Sequence, residues 1–342
     1  MEDLYIKRNI LCIDLKSFFA SVECVERKLN PYTTPLVVCD PTRNGAITLA
    51  VTPYLKNFGI KGRTRVYELP KNLKIIKVPP RMRLYQKKSK EVIKVYLEYV
   101  APEDLHIYSI DECFLDVTNY LKLYKKTDYE LAAEILKKIE EKTGLTATAG
   151  IGPNLLLAKV SMDIEAKHTK DNIAYWKYED IEQKLWPIKP LSKMWGIGSH
   201  LEKKLNDMNI NCVGDIAKYD KNILKEKFGV MGEELWLHAN GIDTSKINDL
   251  NTTFVKEQSY SHSQVLFKDY YDYNINIIIF EMLDVMCRRL RKNNKLCGLI
   301  GFGISYSKNI GGGFYHSNKL IIQTDESAFL YRECMRIFDK YY

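Results

Sequence analysis

The sequence has 342 residues, 46% of them hydrophobic and 27% charged, and a formal net charge of +8 at pH 7. This composition is typical of a globular chain of two or three domains and excludes a collagenous or largely disordered protein. No apolar run approaches the ~18 residues of a membrane span, and the N-terminus lacks a secretory signal, so we expect a cytoplasmic protein.

The eight cysteines form no Cys-x-x-Cys pair, and several lie in apolar runs such as ILCIDL. The six histidines are scattered along the chain. We therefore expect reduced, mostly buried thiols rather than zinc ligands or a disulfide framework.

The first half of the chain predicts a mixed sheet with helices. Residues 9–39 have the pattern strand, helix, strand, and the helix begins in SFFASVE. Residues 40–80 are basic with short strands. Residues 85–190 predict a helix, the hairpin HIYSIDECFLDV, a helix near 129–142, the strand TATAGIG and the helix NLLLAKVSMDIEAK, for which Asn154 is the candidate N-cap. This order is that of a split βαβ, ferredoxin-like sheet.

The second half predicts a helical region followed by a separate α+β unit. Residues 191–245 contain short helices with glycine turns, and residues 246–255 are predicted to be a linker. The last unit is predicted to contain a strand directly after the linker, a helix near 274–294, strands near 296–307 and 313–323, and a helix near 325–341.

The basic residues are unevenly distributed. Residues 41–90 contain 13 basic side chains and one acidic side chain, Glu68. A second cluster, without an acidic residue, contains Arg288, Arg289 and Arg291. Such clusters indicate a polyanionic partner such as nucleic acid, but a solvated protein surface explains either cluster as well.

Three carboxylates are candidates for a metal site. Asp14 ends the apolar strand ILCID, and Asp111 and Glu112 occupy the tip of the predicted hairpin. If both hairpin arms join the sheet beside the first strand, the three carboxylates converge at one edge. Clustered carboxylates need a cation, and Mg²⁺ prefers oxygen ligands and shares them with substrate phosphates. The alternative is structural, with Asp14 capping the following helix and the other two forming a polar turn.

Phe18 and Phe19 lie where the first strand becomes a helix. The free backbone N–H groups of a helix start can bind a triphosphate, and an aromatic ring beside them can stack against a sugar. Burial in the core explains both rings equally well.

The glycines of MWGIGSHLEKKL lie between two short predicted helices. Gly196, Ile197 and Gly198 resemble the turn of a helix-hairpin-helix, whose backbone N–H groups reach DNA phosphates. The segment FGVMGEELWLHANGID, residues 228–243, is its candidate partner. The alternative is an ordinary glycine turn.

Four motifs together indicate a family. CIDLKSFFASVE, YSIDECFLDVT, AGIGPNLLLAK and WGIGSHLEKKL follow one another along nearly the whole chain. In their order and spacing the chain resembles the Y-family (UmuC/DinB-type) translesion DNA polymerases, and most of all the UmuC-like UV-damage repair proteins of Gram-positive bacteria. The resemblance implies an error-prone DNA-directed DNA polymerase that adds dNTPs to the 3′-OH of a primer–template. It also implies two Mg²⁺ ions, which Mn²⁺ can replace.

The resemblance implies roles for the residues that match the family motifs. Asp14, Asp111 and Glu112 match the catalytic carboxylates that bind the metal ions. The carbonyl of Leu15 matches a further metal ligand, and Ser109 would support the hairpin.

The same resemblance implies the contacts to the nucleotide and to DNA. Phe19 matches the steric gate, a ring that clashes with a ribose 2′-OH. The residues implied to bind the nucleotide are Ser17, Phe18, Phe19, Lys56 and Lys159. The residues implied to contact DNA are Gly196, Ile197, Gly198, Arg288, Arg289 and Arg291.

The family architecture implies a palm, fingers, a thumb and a little finger. The corresponding ranges are 1–30 and 81–190 for the catalytic palm, 31–80 for the fingers, 191–245 for the helix-hairpin-helix thumb, 246–255 for a linker and 256–342 for the little finger. The family's little finger closes with one more strand after its second helix, so we expect a truncated little finger here. The tail that this chain lacks is where the family often binds a sliding clamp. Pro53 stands where other branches carry Tyr, which removes a hydroxyl contact to the triphosphate.

Two alternatives stay open at this point. A different palm-type nucleotidyl-transfer enzyme, such as a nucleotide cyclase, also uses a ferredoxin-like sheet with metal-binding carboxylates. A non-catalytic DNA-binding protein on the same fold needs no intact carboxylate set. Dependence on a primer distinguishes the first from a polymerase, and incorporation of nucleotides distinguishes the second.

Overall fold

The computed structural model describes residues 4–43, 45–252, 259–266 and 268–342. Contacts within the chain divide it into two units, residues 1–253 and 254–342.

The first unit begins with β1 (Ile10–Leu15), α1 (Phe18–Glu26), β2 (Leu36–Val38), β3 (Ala50–Val51), α2 (Pro53–Asn57), β4 (Ile76–Val78) and α3 (Met82–Tyr96). It continues with β5 (Leu105–Ile107), β6 (Glu112–Asp116), α4 (Leu121–Tyr124), α5 (Asp128–Thr143), β7 (Ala147–Gly152), α6 (Leu155–Ile164) and β8 (Ile173–Tyr175).

A five-stranded sheet with the order β5-β6-β1-β7-β8 forms the centre of this unit. The apolar strand β1 is antiparallel to both of its neighbours, β6 and β7. The second hairpin strand, β6, is the one that pairs with β1, whereas β5 pairs only with β6 within the described sheet. The mixed α+β fold with a ferredoxin-like order of strands and helices is as predicted.

Helix α6 packs closely against the sheet because β7 carries glycines where it touches the helix. A Cβ atom added at Gly150 would lie 2.1 Å from the carbonyl oxygen of Ala158. The side chain of Asn154 caps the helix by accepting a hydrogen bond from the N–H of Leu157 at 2.8 Å. These two features fix where Lys159, in the second turn of α6, reaches the sheet.

A smaller sheet with the order β3-β2-β4 has its own core. That core includes Val37, Val51, Leu55 and Val66, which are all buried. Most of the basic side chains between residues 41 and 77 lie on its exposed parts.

The helical region comprises α7 (Ser199–Asn206), α8 (Val213–Lys218), α9 (Lys221–Phe228) and α10 (Val230–Ala239) around a separate core. The range predicted to be a linker, 246–255, contains α11 (Ile247–Thr252). Ile247 is buried against the first sheet beside Ile10 and Phe114, and this one apolar anchor orders a segment whose polar composition indicated a linker. Residues 253–255 lie outside the described residues.

The second unit contains α12 (Ile275–Lys292), β9 (Cys297–Ser305), β10 (Gly313–Thr324) and α13 (Ser327–Tyr341). Strands β9 and β10 pair antiparallel, and both helices pack on them around Leu283, Cys287 and Leu330. The strand predicted directly after the linker is wrong for the described residues 259–266, which contain no strand. Tyr260 and Leu266 instead pack by their side chains on the core of this unit.

Candidate active site

The antiparallel pairing of β1 and β6 brings two of the predicted carboxylates together. In this register Asp14 lies directly opposite Glu112, so both side chains lie on one face of the sheet. Asp111 precedes Glu112 at the hairpin tip, and its carbonyl oxygen accepts a hydrogen bond from the N–H of Leu15 at 2.9 Å. The three carboxylates therefore lie at one end of the central strands, next to the start of α1.

Glu112 is buried and is neutralised by Lys159. Its Oε1 atom lies 2.8 Å from Lys159 Nζ and accepts a hydrogen bond from Cys12 Sγ at 3.2 Å. Burial by itself lowers the pKa of Lys159, but the facing Cys12 and Glu112 outweigh it and hold that pKa above its ordinary value. Lys159 therefore stays charged beside the carboxylates.

Asp14 has a weaker partner and a strongly shifted pKa. Its Oδ2 atom lies 3.4 Å from Lys167 Nζ, and its side chain is 22% exposed. Burial raises the pKa of Asp14 to about 6, an effect that Lys167 opposes and Asp111 reinforces. The negative charge at this position is therefore only partly compensated.

Asp163 joins the two lysines into one chain of charges. It lies 2.9 Å from Lys159 Nζ and 2.7 Å from Lys167 Nζ. Burial raises the pKa of Asp163, but the two lysines outweigh it and the pKa lies below its ordinary value. The lysines are thus held in place by an acid outside the predicted set.

The hairpin tip is fixed by Ser109. Its hydroxyl donates to Asp111 Oδ1 at 2.7 Å and accepts from the N–H of Asp111 at 3.3 Å. The Asp111 carboxylate therefore points back to Ser109, at the tip of the same hairpin.

The donor set fits a divalent cation although the side chains point to other partners. Across the described ranges, no group of three or more His, Cys, Asp or Glu side chains is arranged to hold a metal ion. The three carboxylates point to other partners instead: Glu112 faces Lys159, Asp14 faces Lys167 and Asp111 faces Ser109. Three carboxylates at one sheet edge, one of them with a raised pKa, are the oxygen ligands that Mg²⁺ prefers.

Phe18 and Phe19 are the first two residues of α1 and differ in exposure. Phe18 is buried in the core, whereas Phe19 is half-buried. The Phe19 ring stacks on the buried Tyr85, with ring centroids 4.5 Å apart and planes 20° from parallel. Phe18 is therefore a core residue, whereas the ring of Phe19 is partly exposed and rests on Tyr85.

A buried acid network lies behind this stack. Glu23, which is fully buried, accepts hydrogen bonds from Tyr85 Oη at 2.7 Å and from Arg81 at 2.6 and 2.9 Å. Burial raises the pKa of Glu23, but the bonds from Arg81 and Tyr85 outweigh it and lower the pKa overall. The orientation of Tyr85, and with it that of Phe19, is fixed by these bonds.

Ser17 and Lys56 are the other two predicted nucleotide contacts. Ser17 is in a left-handed conformation with φ 48°, and its buried hydroxyl has no hydrogen-bond partner among the described residues. Lys56, in α2, is exposed at the surface. Desolvation and then repulsion from Lys167 lower the pKa of Lys56, whereas Asp14 raises it, so these groups lie near one another.

The predicted DNA contacts lie in two places. Gly196, with φ 88°, and Gly198 flank the buried Ile197, and a Cβ atom at either glycine would meet no atom within 4 Å. This backbone is open to a ligand. In the second unit, Arg288 pairs with Asp284 at 2.5 Å, one turn before the cluster that the sequence showed to be free of acids.

The other two arginines of that cluster contact the chain itself. Arg289 donates to the carbonyl oxygen of Ser261 at 3.1 Å, and Arg291 donates to that of Asp325 at 2.9 Å. A contact of Arg289 or Arg291 with DNA would therefore use the guanidinium N–H groups that do not make these two bonds.

The sequence reasoning missed Asp163, Lys167 and the Tyr85–Glu23 pair. The spacing of Lys159, Asp163 and Lys167, four residues apart each time, was the available signal, since such residues lie on one helical face. Tyr85 carried no comparable local signal, because it reaches Phe19 only through the tertiary fold.

Comparisons with known proteins identify the family. The profile of the impB/mucB/samB family matches residues 13–163, that of the IMS family HHH motif matches 178–210, and that of the impB/mucB/samB family C-terminal domain matches 257–342. The Bacillus subtilis protein named as a UV-damage repair protein, UvrX, is 42% identical over 341 residues, which is 98% of this chain and 80% of the relative. DNA polymerase IV 2 of Bacillus subtilis is 32% identical over 97% of this chain and 80% of its own length. The chain belongs to the impB/mucB/samB family, the Y family of DNA polymerases.

The solved structure of a Y-family DNA polymerase chimera, Dbh-Dpo4-Dbh, shows the same fold. It is 23% identical with a TM-score of 0.75, over 97% of this chain and 95% of that chain. The predicted helix-hairpin-helix and the C-terminal little-finger domain are present as profile matches in this Y-family chain.

The predicted family and activity are confirmed. The chain is a DNA-directed DNA polymerase of the translesion type, with a role in DNA repair. Y-family polymerases copy a DNA template with dNTPs and generally depend on a divalent metal. Among the helices of the described residues, none is both long enough and apolar enough to cross a membrane.

Proposed function

We propose that Asp14, Asp111 and Glu112 form the nucleotidyl-transfer centre of this polymerase. The observation that carries the proposal is the register that places Asp14 opposite Glu112, beside the start of α1. In the reaction the primer 3′-OH attacks the α-phosphorus of the dNTP, a new P–O bond forms and pyrophosphate leaves. No protein nucleophile is needed, and this chain supplies only charge and position.

The carboxylates, with the carbonyl of Leu15, would hold two Mg²⁺ ions. Such ions, or Mn²⁺ in their place, activate the attacking hydroxyl and stabilise the leaving phosphate oxygen. Lys159 and Lys167 compensate the carboxylate charge in the structure, and a cation held by the carboxylates would supply that compensation instead. The lysines are then free to turn towards phosphate.

Phe19 acts as the steric gate against ribonucleotides. Its ring is stacked on Tyr85 and cannot retreat into the core without displacing that buried side chain. The neighbouring Phe18, the hydroxyl of Ser17 and the N–H groups of the first turn of α1 border the triphosphate. Lys56 and Lys159 supply positive charge to the pyrophosphate as it leaves.

The remaining parts position DNA. Residues 1–30 and 81–190 act as the palm, 31–80 as the fingers, 191–245 as the thumb and 256–342 as the little finger. The open backbone around Gly196 and Gly198 would contact phosphates of the primer–template. Arg288, Arg289 and Arg291 would add positive charge over the DNA backbone. We place the enzyme in the cytoplasm, since its eight free cysteines, six of them buried, suit a reducing compartment.

The experiment is incorporation of single nucleotides opposite an undamaged base and opposite a thymine dimer. The wild type should insert dNTPs on both templates and prefer them to rNTPs. Phe19→Ala should reduce that preference by at least about tenfold, because the ring no longer fills the space of the 2′-OH. Phe280→Ala, a matched change on an exposed face of α12, should leave the preference unchanged. Equal preference in wild type and Phe19→Ala contradicts the gate, and failure at the dimer alone excludes this lesion from those that the enzyme bypasses.

A further inference from the structure

Trp195 and Tyr108 join the glycine turn of the helical region to the hairpin that carries the carboxylates. Trp195 directly precedes Gly196, and Tyr108 is the first residue of the hairpin tip, residues 108–111. The indole N–H of Trp195 donates a hydrogen bond to Tyr108 Oη at 3.1 Å. The two rings meet edge to face, with centroids 5.9 Å apart and planes at 77° to each other. Two segments that are distant in sequence therefore share one directional contact.

Both rings also pack on Phe114, in β6. The Tyr108 ring lies 5.8 Å from the Phe114 ring and at 88° to it, and the Trp195 ring lies 6.2 Å from the Phe114 ring. Phe114 is buried and follows Glu112 by two residues, so their side chains lie on the same face of the strand. Trp195 packs partly on this face and partly on the core of the helical region. It therefore bridges the two cores beside a strand that carries a carboxylate.

Tyr108 is tied to the carboxylates through its backbone. The N–H groups of Tyr108 and Ser109 both donate to the carbonyl oxygen of Glu112, at 3.1 and 3.0 Å. The Ser109 hydroxyl in turn donates to the Asp111 carboxylate at 2.7 Å. The hairpin tip is thus a short loop closed by these bonds, and a displacement of Tyr108 displaces Asp111 with it.

Trp195 is tied in the same way to the backbone that is open to a ligand. The N–H of Ile197 donates to the carbonyl oxygen of Met194 at 3.1 Å, which closes a turn with Trp195 and Gly196 at its centre. Ile197 and Met194 are buried in the core of the helical region, so this turn is anchored at both ends. The backbone that carries the indole is therefore also the backbone proposed to contact a DNA phosphate.

The hydrogen bond between the two side chains is not needed to satisfy buried polar groups. Tyr108 is 46% exposed and Trp195 is half-buried, so water can reach this contact. Phe at either position would keep an aromatic ring in the stack. What the bond adds is direction, because it fixes the indole relative to the phenol ring.

We propose that Tyr108 and Trp195 are positioning residues that hold the catalytic hairpin in register with the DNA-contacting turn. Primer–template that binds at Gly196 and Gly198 is then placed with its 3′ end at the carboxylates. The inference rests on the proposed function, and neither side chain touches the substrates.

The first test measures the rate of a single nucleotide incorporation with saturating primer–template, dNTP and Mg²⁺, and the burst amplitude counts active molecules. Tyr108→Phe and Trp195→Phe each remove the bond and should lower the rate about fivefold, the effect of one neutral hydrogen bond. The dissociation constant for primer–template, measured by fluorescence anisotropy, should stay within about twofold of wild type. A role in folding alone would lower the amplitude and not the rate.

Tyr129→Phe is the matched control for the loss of a tyrosine hydroxyl. Its hydroxyl donates to Asp171, away from the hairpin tip and the glycine turn, so this variant should incorporate at the rate of the wild type. Wild-type rates in both Tyr108→Phe and Trp195→Phe overturn the proposal, and so does a loss of amplitude at an unchanged rate.

The double variant separates one shared bond from two independent effects. If the bond between the two side chains carries the loss, Tyr108→Phe/Trp195→Phe should be about fivefold slower than wild type, like each single variant. Two independent packing defects would multiply to about 25-fold, and that result overturns the proposal.

A spectroscopic test follows the contact itself. In protein labelled with 5-fluorotryptophan, the Trp195 fluorine signal is assigned by its absence from Trp195→Phe. Addition of Mg²⁺ and the correct dNTP to a complex with a 3′-dideoxy primer–template should shift this signal in the wild type. The shift in Tyr108→Phe should be less than half as large. Equal shifts in the two proteins, or no shift in the wild type, overturn the proposal.

The incorporation assay also distinguishes this inference from the proposed function. If the wild type incorporates no nucleotide, the proposed function fails. If it incorporates nucleotides and both single variants match its rate, only the positioning role of Tyr108 and Trp195 fails.

Discussion

Asp14→Asn should stabilise the metal-free protein. Burial, with Asp111 and Glu112 adding to it, raises the pKa of Asp14 from 3.8 to about 6, although Lys167 opposes the shift. About two pKa units, at ~1.4 kcal/mol each, correspond to about 3 kcal/mol of unfavourable free energy when the carboxylate is ionised in the folded state. Asn resembles the protonated acid, so it removes this cost.

The stabilisation that Asp14→Asn brings depends on pH. Below pH 3.8 the carboxylate is protonated in both states and contributes nothing. Between pH 3.8 and about 6 the folded state retains the proton that the unfolded state releases, so stability falls as the pH rises. The advantage of Asp14→Asn should therefore be absent near pH 4 and complete above pH 6.

Thermal unfolding in EDTA at pH 4 and pH 8 measures the effect. For a unit of this size, about 3 kcal/mol corresponds to a rise in Tm of roughly 6–12 °C at pH 8. Asp163→Asn is the matched control, because its carboxylate lies between Lys159 and Lys167 and its pKa is lowered. That variant should lose stability at pH 8. A lower Tm for Asp14→Asn at pH 8, or the same gain at both pH values, would refute the reasoning.

Three further predictions concern the fold around the site and the contact with DNA. Glu23→Gln should lose about 2 kcal/mol in urea unfolding, less than the ~3–5 kcal/mol of a fully buried pair because Arg81 is 44% exposed; an unchanged midpoint would contradict the network. Gly150→Ala should destabilise the protein by about 1–3 kcal/mol, because its Cβ meets the backbone of Ala158, and a melting curve like that of the wild type would show that α6 can move away. Gly198→Ala should melt like the wild type, since its Cβ lies in open space, but bind primer–template more weakly in a fluorescence anisotropy titration; unchanged affinity removes this backbone from the DNA interface.

Much of the fold could be predicted from local signals. β1 begins with the apolar run ILCI, α5 shows Leu131, Ile135 and Ile139 four residues apart, and α6 begins at a capping Asn154. These signals depend on residues that are close in sequence, so they can be recognised without knowledge of the tertiary structure.

The features that the sequence did not predict depend on contacts between distant residues. The helix at 247–252 exists because Ile247 finds a buried site on the first sheet, which no periodic pattern announces. In the segment 259–266 the side chains of Tyr260 and Leu266 pack on the core of the second unit, but a strand also needs hydrogen bonds from a neighbouring backbone.

The candidate site also combines residues that local sequence signals indicate with residues that only the tertiary fold brings together. Asp14, Asp111 and Glu112 were found because carboxylates are unusual at the end of an apolar strand and at a hairpin tip. Their partners, such as Cys12 and Lys167, could not be assigned, since the ion pairs depend on how α6 and the turn after it lie against the sheet.

Primer extension tests the central claim most directly. With Mg²⁺, dNTPs and an undamaged primer–template, the wild type should extend the primer, and Asp111→Ala/Glu112→Ala should lose at least about 10³-fold in rate while still binding DNA. Glu134→Ala, at a partly exposed acid on α5, should extend like the wild type. Extension by the double variant at the rate of the wild type would contradict the assignment of these carboxylates to the nucleotidyl-transfer centre.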